Sequence, residues 1–331
     1  MKILSIETSC DETAAAIVSK DPRENFVKVL SNVIASSLPY HAKTGGIVPN
    51  IAAREQLKYI IPVIEKAIEN SKLKVENLDA IAVTVGPGLI GSLLVGIETA
   101  KTLAYLWKKP IVPVNHLLGH IYANWLTTNN KRPATILFPA IALIVSGGHT
   151  DLVLLKNHKE FKWIGGTLDD AAGEAFDKIG RLLNLSYPGG PAIEKASIRG
   201  MEGRFTFPRP MIGSKDFNFS FSGLKAAVAR EVIKLKKLDK QQVADISKAT
   251  QNSIIEVLVR KTIKAAKKYN VKSILLGGGV AANQNLSKHL KLEIGNLKLG
   301  IKFFAPAKNL CTDNAAMIGA YAAFNYKPIP L

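Results

Sequence analysis

Apolar residues fall into two patterns along this chain. Short runs of strand length end in small polar or glycine turns, and longer runs follow a helical period. Lys2-Ile3-Leu4-Ser5-Ile6-Glu7-Thr8-Ser9 predicts a first strand, Cys10-Asp11-Glu12-Thr13 a turn, and Ala14-Ala15-Ala16-Ile17-Val18 a return strand despite its alanines. Residues 44–49 predict a loop. Residues 51–70 then predict a helix, because Ala52, Leu57, Ile60, Ile61, Ile64 and Ile68 recur near every 3.6 residues, with a kink or break at Pro62. Ala80-Ile81-Ala82-Val83-Thr84-Val85 predicts a buried strand. It ends in Gly86-Pro87-Gly88-Leu89-Ile90-Gly91-Ser92, and a mostly apolar helix over 93–107 follows. Pro110-Ile111-Val112-Pro113-Val114 reads as a short strand.

The second half repeats this plan. Residues 136–145 predict a strand, Ser146-Gly147-Gly148-His149-Thr150 a turn, and Asp151-Leu152-Val153-Leu154-Leu155 a return strand. Lys272-Ser273-Ile274-Leu275-Leu276 then leads into Gly277-Gly278-Gly279-Val280-Ala281-Ala282-Asn283 and a helix. A duplicated α/β domain with a cleft between the copies is the natural reading, with ligands at the glycine turns facing it. A strand, glycine turn and helix N-terminus in succession serve anion binding or close strand–helix packing, and the spacing is neither a Walker loop nor Gly-x-Gly-x-x-Gly. The 8–13 turn can present amides and hydroxyls to a phosphate, and it equally fits an ordinary polar hairpin turn.

Between the repeats, residues 167–178 predict a helix opened by Thr167 and Asp169, followed by a rigid Tyr187-Pro188-Gly189-Gly190-Pro191 turn. Its dense acids fit either contacts with a ligand's hydroxyls or a solvated helix start. Residues 205–210 and 217–225 alternate aromatic with polar residues, which predicts strands with one buried face; core packing is preferred to stacking on bases. Residues 305–310 predict a loop, and Cys311-Thr312-Asp313-Asn314 caps a helix over 315–324, with Asp313 either a helix cap, the preferred reading of a lone Asp, or the carboxylate that a histidine pair such as His116 and His120 lacks.

Composition adds size, charge and compartment. With 331 residues, 47% of them hydrophobic, two domains are expected. The formal net charge of +18 is uneven: residues 1–120 hold 13 basic and 11 acidic side chains, whereas 225–272 hold 13 basic and four acidic ones. That face suits a polyanion such as nucleic acid, or is a solvated lysine-rich surface. Cys10 and Cys311 stand too far apart in sequence for a disulfide framework and fit a reducing compartment. No signal peptide or membrane span is expected, so a soluble cytoplasmic protein is.

The candidate chemistry centres on His116 and His120, two of six histidines. On a helix, positions four apart share a face, so both rings can meet one ion. Zinc proteases place a Glu general base between such histidines; Leu117 stands there instead, which removes the protease mechanism. An open metal site needs a third ligand, often a carboxylate. Two histidines that simply pack or cap remain the alternative at this point.

Taken in order, Ile6-Glu7-Thr8-Ser9-Cys10-Asp11-Glu12-Thr13, the His116/His120 pair, Val145-Ser146-Gly147-Gly148-His149-Thr150, the 169–178 acidic segment, Tyr187-Pro188-Gly189-Gly190-Pro191, Gly278-Gly279-Val280-Ala281-Ala282-Asn283 and Cys311-Thr312-Asp313-Asn314-Ala315-Ala316-Met317 resemble the tRNA adenosine threonylcarbamoyltransferases, formerly described as O-sialoglycoprotein endopeptidases. The match spans nearly the whole chain, and Thr8-Ser9-Cys10-Asp11 looks like the bacterial and mitochondrial branch. The resemblance implies a duplicated actin-like, Hsp70-like and sugar-kinase-like α/β fold, with a lobe over 1–130 completed by the C-terminal helix 305–331 and a second lobe over 131–304. It implies transfer of threonylcarbamoyl from threonylcarbamoyl-AMP to N6 of the adenosine 3′ of the anticodon, in tRNAs reading codons that begin with A. By the same comparison His116, His120 and Asp313 bind one divalent metal, iron or alternatively zinc. Ile144, Val145, Ser146, Gly147, Gly148, Asp177, Gly190, Glu194 and Asn283 match positions that hold the adenylate. Partners expected on this basis are tRNA with a paralogous chain of the same fold and a P-loop ATPase, or else a homodimer, and no membrane. Asp11 is the candidate for a polar or base role. An ATPase or small-molecule kinase of the same fold is the rival; a protease and a non-catalytic scaffold stand behind it.

Overall fold

Two meanders of three strands, each extended by parallel strands, carry the architecture. The computed structural model describes residues 1–128, 133–297 and 300–329. The chain divides into two units, Met1–Thr135 with Pro306–Leu331, and Ile136–Ala305. In the first unit β1 (Lys2–Glu7), β2 (Glu12–Ser19) and β3 (Val27–Ser36) pair antiparallel in sequence order. Both faces of β1 and β2 are buried, as central strands covered on both sides require. The chain then runs through α1 (Leu38–Thr44) and α2 (Pro49–Ser71) to β4 (Ala80–Gly86), parallel to β1. Next α3 (Ile90–Trp107) crosses to β5 (Ile111–Asn115), parallel to β4. After α4 (His116–Tyr122), a short β6 (Leu126–Thr127) completes the order β5-β4-β1-β2-β3-β6.

In the second unit β7 (Ala140–Val145), β8 (Thr150–Leu155) and β9 (Phe161–Gly166) form the matching meander. The helices α5 (Ala172–Leu182), α6 (Gly189–Ser197), α7 (Ser222–Leu235) and α8 (Lys240–Lys268) precede β10 (Ser273–Gly277), and α9 (Gln284–Asn296) precedes β11 (Lys302–Phe304). The order β11-β10-β7-β8-β9 reproduces β5-β4-β1-β2-β3, so the duplication read from the turns extends to the full strand order. The chain then returns to the first unit as α10 (Ala315–Phe324), an apolar helix buried on nearly every side against α4, β1 and β2.

Four expectations change. Pro62 does not break α2: the helix runs from Pro49 to Ser71 because Ile60, Val63, Ile64 and Ala67 bury against the sheet, which offsets one missing backbone bond. Its buried face is also rotated from the one the apolar spacing gave. Leu57 and Ile61 are exposed, whereas Glu55 and Gln56 are buried. The acidic segment becomes helical only at Ala172, because the Asp169 carboxylate accepts hydrogen bonds from the Ser220 and Ser222 hydroxyls (2.5 Å each) and from the Phe221 and Ser222 amides. Asp170 pairs with Lys178 at 2.6 Å. These two acids tie the chain to itself, Asp169 while still exposed and Asp170 half-buried. Residues 205–210 and 217–225 are not strands. Phe219 makes one isolated bridge to Thr167, and α7 begins at Ser222. The alternation reflects burial of Phe207, Phe217, Phe219 and Phe221 without a partner strand. Among the described residues no helix is long and apolar enough to cross a membrane.

Candidate metal centre

The histidine pair owes its geometry to a cap. Asn115 ends β5, and its side-chain oxygen accepts the Leu117 and Leu118 amides at 2.9 and 3.2 Å, which starts α4 at His116. His116 and His120 then share a face, their rings edge-on with centroids 4.6 Å apart. Gly119 lets α4 approach α10 closely, since a Cβ there would stand 2.7 Å from Ile318 Cδ1. At the start of α10 the cap is Asn314, not Asp313: its oxygen accepts the Met317 amide at 3.1 Å. The capping role thus belongs to Asn314 rather than to Asp313. Its Oδ1 lies 3.2 Å from His120 Nε2 and 3.6 Å from His116 Nε2.

These residues fit a metal ion. The three ligand atoms lie within 4.8 Å of one another. Both ring nitrogens of His120 are buried without a hydrogen-bond partner; Asp313 is near Nε2 but not aligned for a hydrogen bond. Buried polar atoms rarely go unsatisfied, and an ion accepting the Nε2 lone pair satisfies this one.

Behind His116 stands a residue that the sequence did not single out for a role. Glu7, fully buried at the end of β1, places Oε2 3.0 Å from His116 Nδ1. The same oxygen accepts the Thr84 hydroxyl at 2.5 Å, and Oε1 accepts the Ser9 amide at 2.6 Å. Ser9 Oγ lies 3.1 Å from His116 Nδ1. A carboxylate receiving Nδ1–H fixes the tautomer and turns the Nε2 lone pair toward the ion. Burial disfavours charge on both partners. The His116 charge and hydrogen bond nevertheless hold Glu7 below its ordinary value, and the Glu7 and Asp313 carboxylates raise His116 to about 9. The pocket thus demands positive charge, which a proton or a cation can supply. The signal in the sequence was an acid inside an otherwise buried strand.

Asp11 sits in the turn between β1 and β2, where its carboxylate accepts hydrogen bonds from the Cys10 thiol and the Glu12 carboxyl. Burial first, and the Asp11 charge second, hold Glu12 protonated well above the usual carboxylate range.

The other candidate residues lie in the second unit. Ile144 and Val145 end β7, and the 146–149 turn closes on itself as Ser146 Oγ accepts the His149 amide at 3.1 Å. The start of α5 clamps it: Ala172 N–H donates to Thr150 Oγ1 (2.8 Å) and Gly173 N–H to the Ser146 carbonyl (3.2 Å). Glycine is required at 173, because any Cβ would overlap Ser146 backbone atoms. Among the described residues the Gly147 and Gly148 amides donate to nothing. Asp177 accepts the Gly189 amide at 2.7 Å and also that of Gly190, bonds that oppose the upward push of burial on its pKa. Glu194, one turn further along α6, accepts the Gln284 amide at 2.9 Å. Asn283 caps α9 through the Leu286 amide and donates to Gln251 at 3.0 Å. Asp177, Gly190, Glu194 and Asn283 are thus linked through α6, and the side chains of Asp177 and Asn283 already hold helix starts.

A family model for tRNA N6-adenosine threonylcarbamoyltransferase matches residues 28–320. The chain is 48% identical to the tRNA N6-adenosine threonylcarbamoyltransferase of Syntrophomonas wolfei, covering 98% of this chain and 92% of that protein. It is 49% identical to the one from Bacillus subtilis, covering 97% and 89%. Among solved structures, T. kodakarensis HypF superposes with a TM-score of 0.63 at 13% identity, over 98% of this chain and 47% of that one. Component A of Acidaminococcus fermentans (R)-2-hydroxyglutaryl-CoA dehydratase gives 0.54 at 16%, over 98% of each. These distant structures carry the fold alone, the actin-like, Hsp70-like and sugar-kinase-like one. The family model and the near relatives go further: the chain belongs to the tRNA N6-adenosine threonylcarbamoyltransferase family.

Proposed function

We propose that this protein transfers the threonylcarbamoyl group of threonylcarbamoyl-AMP to N6 of the adenosine 3′ of the anticodon, in tRNAs reading codons that begin with A. The observation that carries this reading is the His116–His120–Asp313 set, its two imidazoles buried and His116 oriented from behind by Glu7, in a chain of this family. In the reaction the N6 amine attacks the carbamoyl carbon. A C–N bond forms, the C–O bond to phosphate breaks, and AMP leaves with the electron pair.

His116, His120 and Asp313 hold one divalent ion, Fe²⁺ or alternatively Zn²⁺; two imidazoles and one carboxylate suit either. Once bound, that ion supplies a Lewis acid and a template for oxygens. The unpaired Gly147 and Gly148 amides receive the adenylate phosphate. Ile144, Val145 and Ser146 shape that turn, while Asp177, Gly190, Glu194 and Asn283 hold the nucleoside, Asn283 through the position of its backbone. Asp11 accepts the proton from the amine, because Glu12 beside it already carries one. The exposed Arg230, Lys234, Lys236, Lys237 and Lys240 hold the tRNA backbone.

A paralogous chain of the same fold docks on α2 and α3, which pack together and expose Leu57, Ile61, Ile90 and Leu94; a P-loop ATPase completes the set. The alternative is a homodimer through the same face, and light scattering with and without the paralogue separates the two. The unpaired Cys10 and Cys311 suit the cytoplasm. A kinase or ATPase of this fold holds Mg²⁺ through carboxylates and phosphate oxygens, and the paired imidazoles disfavour that reading.

Mass spectrometry of tRNA nucleosides tests the proposal. The protein is incubated with threonine, bicarbonate, ATP, a threonylcarbamoyl-AMP-forming enzyme, unmodified tRNA and candidate partners. Threonylcarbamoyladenosine appears with the wild type and disappears with His116→Ala. Its absence with the wild type, partners included, overturns the reading.

A further inference from the structure

Ser9 and Asp11 share one short turn, and a single side chain from α2 holds that turn in place. Gln56 is fully buried, and its Nε2 lies 3.2, 3.0 and 3.1 Å from the carbonyl oxygens of Thr8, Cys10 and Glu12. The orientation of the amide is forced, because exchanging its oxygen and nitrogen would set an acceptor against three acceptors. Gln56 Oε1 is buried without a partner. A residue kept only to fill space would not carry that cost, since an apolar side chain of the same length avoids it.

The remaining carbonyls of the turn are also taken. Ser9 O accepts the Leu89 amide at 2.8 Å, and Asp11 O accepts the Ser37 hydroxyl at 2.8 Å. Ser92 Oγ adds a 3.2 Å bond to Cys10 O. On the flank toward Leu89, Gly88 stands so close that a Cβ would lie 2.8 Å from Ser9 Cβ. The turn is therefore gripped through its backbone, and its side chains are left to act: Ser9 on His116, and Asp11 on Cys10 and Glu12.

We infer that Gln56 is a positioning residue of the reaction centre: its amide fixes the 8–12 turn, and through it the Ser9 contact on His116 and the place of Asp11. No other buried side chain holds three alternate carbonyls of that turn among the described residues. The kinetic part of this inference rests on the proposed transferase reading; the conformational part does not.

Two variants test it. Gln56→Met keeps length and removes the donor, and Gln56→Glu keeps shape and replaces the donor with an acceptor. The first readout is maleimide labelling of Cys10 in metal-free protein under native conditions, mapped by peptide mass. Loosening the turn raises that rate by about tenfold for Met, the equivalent of one or two lost hydrogen bonds, and further for Glu. Ser92→Ala, which removes only one bond, raises it by about threefold and serves if both Gln56 variants fail to fold. The second readout is kinetic. kcat falls by about 10²-fold, as expected of a reacting group displaced by an ångström, while KM for tRNA stays within about twofold and the melting midpoint remains well above the assay temperature.

Unchanged Cys10 labelling in the variants overturns the inference. So does a kcat loss matched by an equal rise in KM or by unfolding at the assay temperature, because Gln56 would then be structural only. If the wild type makes no threonylcarbamoyladenosine, the transferase reading fails, and the labelling rates alone decide the role of Gln56.

Discussion

The 8–12 turn and the 146–149 turn occupy the same place in two sheets of the same strand order, yet they are built by opposite means. The first is crowded with ionisable residues, gripped by a side chain, and backed by a carboxylate that holds an imidazole. The second is Ser146-Gly147-Gly148-His149, is clamped by backbone amides from α5, and leaves the Gly147 and Gly148 amides without a bond among the described residues. Duplication supplied one scaffold. Side-chain chemistry then made one copy a seat for positive charge and left the other with two open amides, which the proposed function assigns to an anion.

The sharpest way to break this contrast is to remove the charge seat. His120→Ala or Asp313→Ala should abolish stoichiometric metal, measured by elemental analysis. Threonylcarbamoyladenosine formation should fall by at least about 10³-fold, the several kcal/mol that a Lewis acid contributes. The anion seat should be untouched, so threonylcarbamoyl-AMP binding at the second turn should change little. A smaller effect is expected one layer back. Glu7→Gln can present an amide N–H to His116 Nδ1 and reverse its tautomer, turning Nε2–H toward the ion. Metal affinity, read by competition with a chelator, should fall by about 10- to 100-fold, with folding retained.

On the other side, Gly173→Ala forces a methyl group into the Ser146 backbone. Overpacking of this kind costs about 1–3 kcal/mol and displaces the turn. KM for threonylcarbamoyl-AMP should rise by about tenfold for each 1.4 kcal/mol of binding lost, while metal content stays at the wild-type level. A Gly173→Ala protein that loses metal instead would erase the division of labour.

How much of this was legible depended on range. The histidine pair showed because its geometry is local, four residues on one helix. Asp313 did not show by spacing, because Asp and Asn both cap helices well; only the structure gives the cap to Asn314 and sets Asp313 beside the two histidines. Glu7 and Gln56 were unreadable for a stronger reason. Their partners lie far along the chain, 109 residues away for the Glu7 bond to His116 and 44 to 48 for the three Gln56 bonds. No local period reports such contacts. Hydrophobic spacing even counted Leu57 and Ile61 as buried, since an α2 face that holds a polar turn cannot be apolar throughout. β3 was missed because Ser31 and Asn32 interrupt its alternation, and the phenylalanines of 217–221 were misread because burial without a partner strand gives the same alternation as a ladder.

The smallest predicted effect separates the two copies by pH. Each has an acid beside its turn, the buried Glu7 at the end of β1 and the half-buried Asp151 at the start of β8. Glu7 has an imidazole partner and is pulled down. Burial alone pushes Asp151 up to about 6. The signs of the two linkages are therefore opposite. Glu7 contributes stability that is present above its unfolded value of 4.5 and lost as pH falls through its lower folded value. Asp151 binds its proton more tightly folded than unfolded, so it costs nothing below its ordinary value of 3.8, and its cost grows until pH passes about 6. Because the group is only partly buried, solvent screening limits that cost to about 1 kcal/mol. Asp151→Asn should accordingly raise the melting midpoint by a few degrees at pH 7.5 and leave it unchanged near pH 4, in scanning calorimetry of metal-free protein. A gain of equal size at both pH values would mean that the carboxylate's charge is not what the second copy resists, and that the contrast between the two acids lies in packing instead.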